Sequence, residues 1–166
     1  MAEKEIVNKV AASGILRLDL MEYQPQEEFV EFDIKNYLFQ ELVVREKEFR
    51  AAMDAIDWQY YTKKAVSVFC SVDAIVPQWV YMLVTVKLYP YAAFVFFGSV
   101  ENHMLKLWEA NIIEADLSDY MGEKVALKAS EFIPDAIYVK ATSILTNKVT
   151  TLMYGEPGLP KVIHKN

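Results

Sequence analysis

Cysteine, glycine, histidine and positive charge are all scarce in this chain, and each shortage excludes something. The single cysteine, Cys70, cannot form an internal disulfide. The first residues, MAEKEIVNKV, alternate in charge and contain no apolar signal core. Together these features predict a reducing, cytoplasmic setting. Five glycines are present, and none are spaced as a dinucleotide or phosphate-loop fingerprint, so no nucleotide cofactor is expected. The two histidines, His103 and His164, are far apart and there is no cysteine pair, so no metal centre is expected. EFDIKNY and EADLSDY supply acids but lack the glycine of a calcium loop, and read as solvated turns and caps. The net charge is -6 with a pI near 5.0, and no five like charges are consecutive. Nucleic acid and anionic membranes prefer a basic face and are excluded as partners.

Apolar residues are abundant. They make up 54% of the 166 residues, against 24% charged. That is enough to build one globular domain over 1–166, and too apolar for disorder. The run WVYMLVTVKLYPYAAFVFF, Trp79 to Phe97, approaches bilayer length. Lys87 and Pro90 interrupt it, and its second half is aromatic and β-branched. A buried helix, turn and strand describe it better than a membrane span.

The fold class expected is α/β (or α+β). Three strand–helix units begin near Ala65, Ala93 and Lys124 and form a mostly parallel sheet. AVSVFCS precedes a helix starting at Asp73, a suitable N-cap. AAFVFF, apolar on both faces, reads as a central strand, and its helix carries the stripe Val100, Met104, Leu107, Trp108 and Ile112. EKVALKAS, with Lys124 and Lys128 outward, reads as an edge strand. The last helix runs from Pro134 with Ile137, Ala141, Ile144, Leu145, Val149 and Leu152 inward, and stops at Gly155. The tail reads as irregular. Ahead of these units come a short helix ending at Gly14 and an antiparallel hairpin of ILRLDL with VEFDI. A helix from Glu46 buries Phe49, Met53 and Ile56. The spacing over residues 35–45 allows either strand or helix.

Ligands of open α/β sheets bind beyond the carboxyl ends of the strands. Cys70, Ser71 and Asp73 fall at such an end, Trp79 follows on the helix, and Tyr154 and Glu156 stand past the last helix. These six residues are the candidate crevice. Cys70 has two readings. It is a nucleophile activated by a helix N-terminus, or a small core residue alternating with Val66 and Val68. The second is favoured, because no spacing brings a histidine base near it.

The segments EIVNKVAASGILRLDL, VEFDIKNYLFQ, REKEFR, CSVDAIVPQWVYMLV and YGEP together resemble an uncharacterised bacterial family, a domain of unknown function. The resemblance covers nearly the whole chain and lends no activity. It implies further cysteines in relatives where this chain has Ala129 and Gly158. With Cys70 alone, no thiolate metal site is expected here. The expected function is a cytoplasmic binding or interaction domain taking a small ligand or a protein, with a homodimer as one form of partnership. The alternative is an enzyme using Cys70.

Overall fold

The computed structural model describes residues 14–156 and 158–166. The helix expected over Ile6 to Ala11 lies outside them. The described chain is α/β, with four α-helices and seven strands in two sheets, so the three strand–helix units do not share the one sheet expected: the strands at Ala65 and Phe94 lie in one and the strand at Lys124 in the other. The residues divide into two compact units, one made of 1–25 with 107–166 and the other of 26–106.

The unit formed by 26–106 holds β1's successor in sequence and two more strands. With β1 at Ile15–Leu18, these are β2 (Phe29–Asp33), β3 (Ala65–Phe69) and β4 (Phe94–Phe97), all parallel in the order β2-β3-β4. Helix α1 (Glu46–Ala55) follows β2, and α2 (Gln78–Leu88) is the crossover from β3 to β4. Phe32, Val66 and Val68 from the sheet meet Phe49 and Met53 of α1 and Val80, Val84 and Leu88 of α2 in one core. The Phe49 and Met53 stripe of α1 is buried where its spacing places it, whereas α2, expected to be buried, has only one face covered. Central β3 is buried through Val68, and β4 is an edge strand. AAFVFF therefore does not run through the middle of a covered sheet: Phe94 and Phe97 are exposed, as are Met82 and Val86 of α2 and Tyr89 just past its end. An unbroken apolar run does not reveal which of its faces is covered.

Helix α2 begins at Gln78, not at Asp73. Val76 precedes Pro77, and the proline ring disfavours helical backbone in the residue before it. Pro77 itself is the extended N-cap, with φ -64° and ψ 146°. The segment ahead of it is held extended, with Ile75 N donating to Leu42 O at 3.0 Å.

The undecided stretch 35–45 is neither a strand nor an α-helix. A 3-10 turn over Ile34–Tyr37 leads into a tight turn in which Gln40 and Glu41 have φ of +52° and +57°. Leu42 N closes that turn onto Phe39 O at 3.1 Å. Two left-handed residues in succession are the type I′ conformation, which favours Asn-Gly.

The other unit holds β1, β5 (Lys124–Leu127), β6 (Thr151–Tyr154) and β7 (Lys161–Lys165) in the order β1-β5-β6-β7. Its helices are α4 (Asp135–Leu145) and the second half of α3 (Val100–Glu114), since the division between units falls after Lys106. Strands β1, β5 and β6 are parallel, and β7 runs antiparallel to β6. The hairpin expected from ILRLDL and VEFDI does not form: β1 pairs with β5 and β2 with β3. Two alternating strands joined by a loop look the same whether they pair with each other or with distant partners. In the loop, Asp19 accepts from Met21 N and opens a 3-10 turn that carries the chain away from β1.

Strand β5 is central, and only its first residue, Lys124, is exposed. The edges are β1 and β7, the second of which arises from the tail expected to be irregular. The last helix is also shorter than its stripe. Ile137, Ala141 and Leu145 are buried on α4, while Val149 and Leu152 are buried from a turn and from β6. The β-branched run from Val149 to Thr151 suits extended backbone, and inward residues there coincide with a helical spacing. Trp108 of α3 is anchored in this core, its indole N–H donating to Leu20 O at 2.9 Å.

The turn at Gln40-Glu41 provides a test of the fold. Replacing both residues by Asn-Gly should raise stability by about 1 kcal/mol, by removing left-handed strain from side chains that resist it. Urea unfolding of the double variant checks this, and a loss of stability would count against the turn.

Candidate functional site

The carboxyl ends of the parallel strands are where a site is expected, and in the β1-β5-β6-β7 sheet they are level. Leu18 pairs with Leu127, and Leu127 with Tyr154. Beyond that line the chain must leave β5 and turn back into α4. The loop 128–134 does so, and Pro134 starts the helix with no side-chain cap. A crevice of about 390 Å³ opens between this loop, the first turns of α4 and the end of β6. Leu127, Ile133, Leu152 and Ile163 supply its apolar lining. Ser130, Glu131, Asp135, Tyr138, Thr142 and Tyr154 supply its polar groups.

Tyr138 holds the loop in shape. Its hydroxyl accepts from Ser130 N at 3.0 Å and donates to Lys128 O at 2.8 Å. Burial pushes its phenol above the ordinary tyrosine value. Its ring meets Tyr154 edge-to-face, with centroids 5.4 Å apart. Lys128 is fixed in turn by Asp19, at 2.6 Å from the end of β1. That hydrogen bond from Lys128 is the main reason the Asp19 carboxyl titrates below its ordinary range.

Of the six sequence candidates, only Tyr154 lines this crevice. Glu156 is nearby in sequence and faces Arg17 at 3.9 Å. Cys70, Ser71, Asp73 and Trp79 belong to the other unit and the other sheet. There, Asp33 ends β2 and accepts from Ser71 N at 3.1 Å and Lys35 N at 2.9 Å. Burial would raise the Asp33 carboxyl, but the hydrogen bonds from Ser71 and Lys35 outweigh it and lower it. Cys70 is half-buried against the core, and its thiol lies 3.4 Å from Val72 O. Asp73 is exposed and caps no helix, since α2 starts five residues later at Gln78. Trp79 packs edge-to-face on Phe49, 5.8 Å away, with Arg50 over its ring. It is part of the core wall.

The residues that line the crevice most directly, Ser130, Glu131, Asp135 and Tyr138, were not singled out from sequence. The available signal was positional: ASEFIPD lies between a strand and a proline-started helix.

A second buried polar group is His103 of α3, 2% exposed, with Nδ1 3.0 Å from the hydroxyl of Ser67, which is fully buried. Phe96 stacks on the ring and Phe29 meets it edge-on. Ser67 lies in the middle of central β3, not at its carboxyl end, so this pair satisfies a polar side chain inside a core. Burial pushes the imidazole below its ordinary value, against a smaller opposing pull from Glu27.

The class defined by this architecture is an α/β protein with two parallel-strand sheets and an open crevice at the strand ends of one. A family described as "Protein of unknown function (DUF2480)" matches residues 4–165, and the chain belongs to that family. No curated protein and no solved structure matches it. Among the described residues no helix is long and apolar enough to cross a membrane, and no three His, Cys, Asp or Glu side chains are grouped to hold a metal ion.

His103 makes stability depend on pH. Because the folded imidazole titrates below the unfolded one, the unfolded chain takes up the proton first as pH falls. Stability should therefore decline as pH drops through about 6.5, the unfolded value. Urea midpoints at about pH 7.5 and pH 5.5 should differ more for the native chain than for His103→Gln. Equal differences would remove His103 as the cause.

Proposed function

We propose that this chain is a ligand-binding α/β protein whose site is the crevice beyond β5 and β6. One observation carries the proposal: a cavity of about 390 Å³ at the strand ends, with an apolar lining and a few convergent polar groups. Ligand pockets have that size, position and composition. Tyr138 and the Asp19–Lys128 pair supply the rigidity a binding site needs, because they hold the loop before any ligand arrives. A reducing cytoplasm suits the lone thiol. Nucleophilic chemistry at Cys70 would need a base beside the sulfur, whereas the thiol's neighbour is a carbonyl oxygen.

Protein-detected NMR with a library of small neutral and charged fragments tests the site. Binders should shift resonances over 127–142 and 152–154. Ile163→Trp should abolish those shifts while leaving stability within about 0.5 kcal/mol, since Ile163 is exposed and lies at the mouth of the crevice. Fragments that shift only residues elsewhere would overturn the proposal.

A second reading rests on the surface of the unit formed by 26–106. Phe97 on edge strand β4 is 68% exposed, and Met82 and Val86 of α2 share one outward stripe with Tyr89 just past its end. The strand FVFF carries no charge or proline to protect its edge. A second copy of this chain, related by a two-fold axis, pairs β4 with β4 antiparallel and covers Phe97. Light scattering should then return twice the chain mass, and Phe97→Glu should return the monomer. A monomeric native chain at micromolar concentration would end this second reading.

A further inference from the structure

The charges around the crevice indicate what it holds. Glu131 and Asp135 both line it, both are exposed, and no cationic side chain lines it with them. Neither carboxylate has a hydrogen bond or an ion pair among the described residues. Three nearby cations are engaged elsewhere, and the fourth, Lys161, stands exposed across from Tyr154 on β7 and is not part of the lining. Lys128 is bound to Asp19 at 2.6 Å, Arg17 faces Glu156 and Lys140 faces Glu109, each at 3.9 Å. The N-terminus of α4 would ordinarily attract an anion, but Asp135 occupies its first turn and offsets the dipole. A phosphate or carboxylate entering here meets two like charges and no cation in the lining.

The rest of the lining favours the opposite sign. Tyr138 and Tyr154 meet edge-to-face, so a ligand beside them can contact an aromatic face, where a cation is attracted. Leu127, Ile133, Leu152 and Ile163 give an apolar surface for the ligand's body. The hydroxyl of Tyr138 is already committed to Ser130 N and Lys128 O, which leaves the carboxylates as the groups with unmet charge. On the basis that the crevice is a binding site, we propose that it selects an organic cation: a protonated amine carried on a small aromatic or branched apolar body. The amine lies between Glu131 and Asp135, and the body lies against the tyrosines and the aliphatic lining.

Three probes of one shape and different charge test this: phenethylamine, phenethyl alcohol and phenylacetate, titrated into the full chain at neutral pH and low salt with protein-detected NMR. The amine should bind roughly tenfold tighter than the alcohol, the sum expected of two partly exposed charge contacts, and phenylacetate should bind weakest. Added salt should narrow the amine's advantage. In the double variant Glu131→Gln, Asp135→Asn, at two exposed positions, the amine should fall to the affinity of the alcohol while the alcohol is unchanged. An alcohol that binds in the crevice as tightly as the amine overturns the cation selectivity and leaves the binding site standing. An amine preference that survives in the double variant overturns the role of the two carboxylates. If none of the three probes shifts residues 127–142 or 152–154, both the selectivity and the site are overturned.

Discussion

The pairing of β1 with β5 is the constraint on which the crevice depends. It brings the first described residues of the chain beside a strand from its last third. Asp19 and Lys128, 109 residues apart in sequence, form an ion pair just beyond the paired strands. Closing so long a loop costs only a little more entropy than closing one of half the length, so a few well-buried contacts can secure it. Here Leu18, Val125 and Leu127 are buried and Trp108 donates to Leu20 O, 88 residues away. The shape of the loop before α4 follows from these contacts. Lys128 is fixed by Asp19, and its carbonyl receives the Tyr138 hydroxyl, which in turn holds the Ser130 amide.

The β2-β3-β4 unit obeys a more local rule. Its strands follow one another in sequence and lie side by side, and α2 makes the single crossover between β3 and β4. Its one exception to an apolar interior is Ser67 with His103. An unpaired hydroxyl or imidazole in that position would carry a full desolvation cost, and each removes the other's. The same burial that makes the pair necessary also lowers the basicity of the imidazole, so a packing solution becomes a pH dependence.

Within the crevice, residues of similar type have different tasks. Tyr138 is internal scaffolding, with its hydroxyl satisfied twice, whereas Tyr154 stands 40% exposed at the mouth. Asp19 is paired with a lysine, whereas among the described residues Glu131 and Asp135 are not. Residue type alone does not separate the members of these pairs. Their partners do, and the partners come from β1, β5 and α4, which are far apart in sequence.

Several elements follow from local sequence alone, because they rest on interactions within a few residues. The Phe49 and Met53 stripe of α1, Trp108 and Ile112 on α3, the strand AVSVF and the helix after Pro134 are set by apolar period and by proline. The α/β class follows from them. Val76 before Pro77 also contains the reason α2 starts late, although Asp73 looked like the better cap. Three things were decided only by tertiary structure. The hairpin of ILRLDL with VEFDI became two strands in two sheets, AAFVFF became an edge and EKVALKAS a centre, and the turn-rich tail became β7. Strand alternation specifies which face is inward and nothing about the neighbour, since backbone hydrogen bonds are the same for every partner. The site divided along the same line. That ligands lie beyond strand ends is a property of the sheet, whereas Tyr154 was singled out as standing past the last helix and reaches the crevice as the end of β6. Which strand ends open onto a cavity, and which carboxylates remain unpaired there, is settled by contacts between residues about a hundred positions apart.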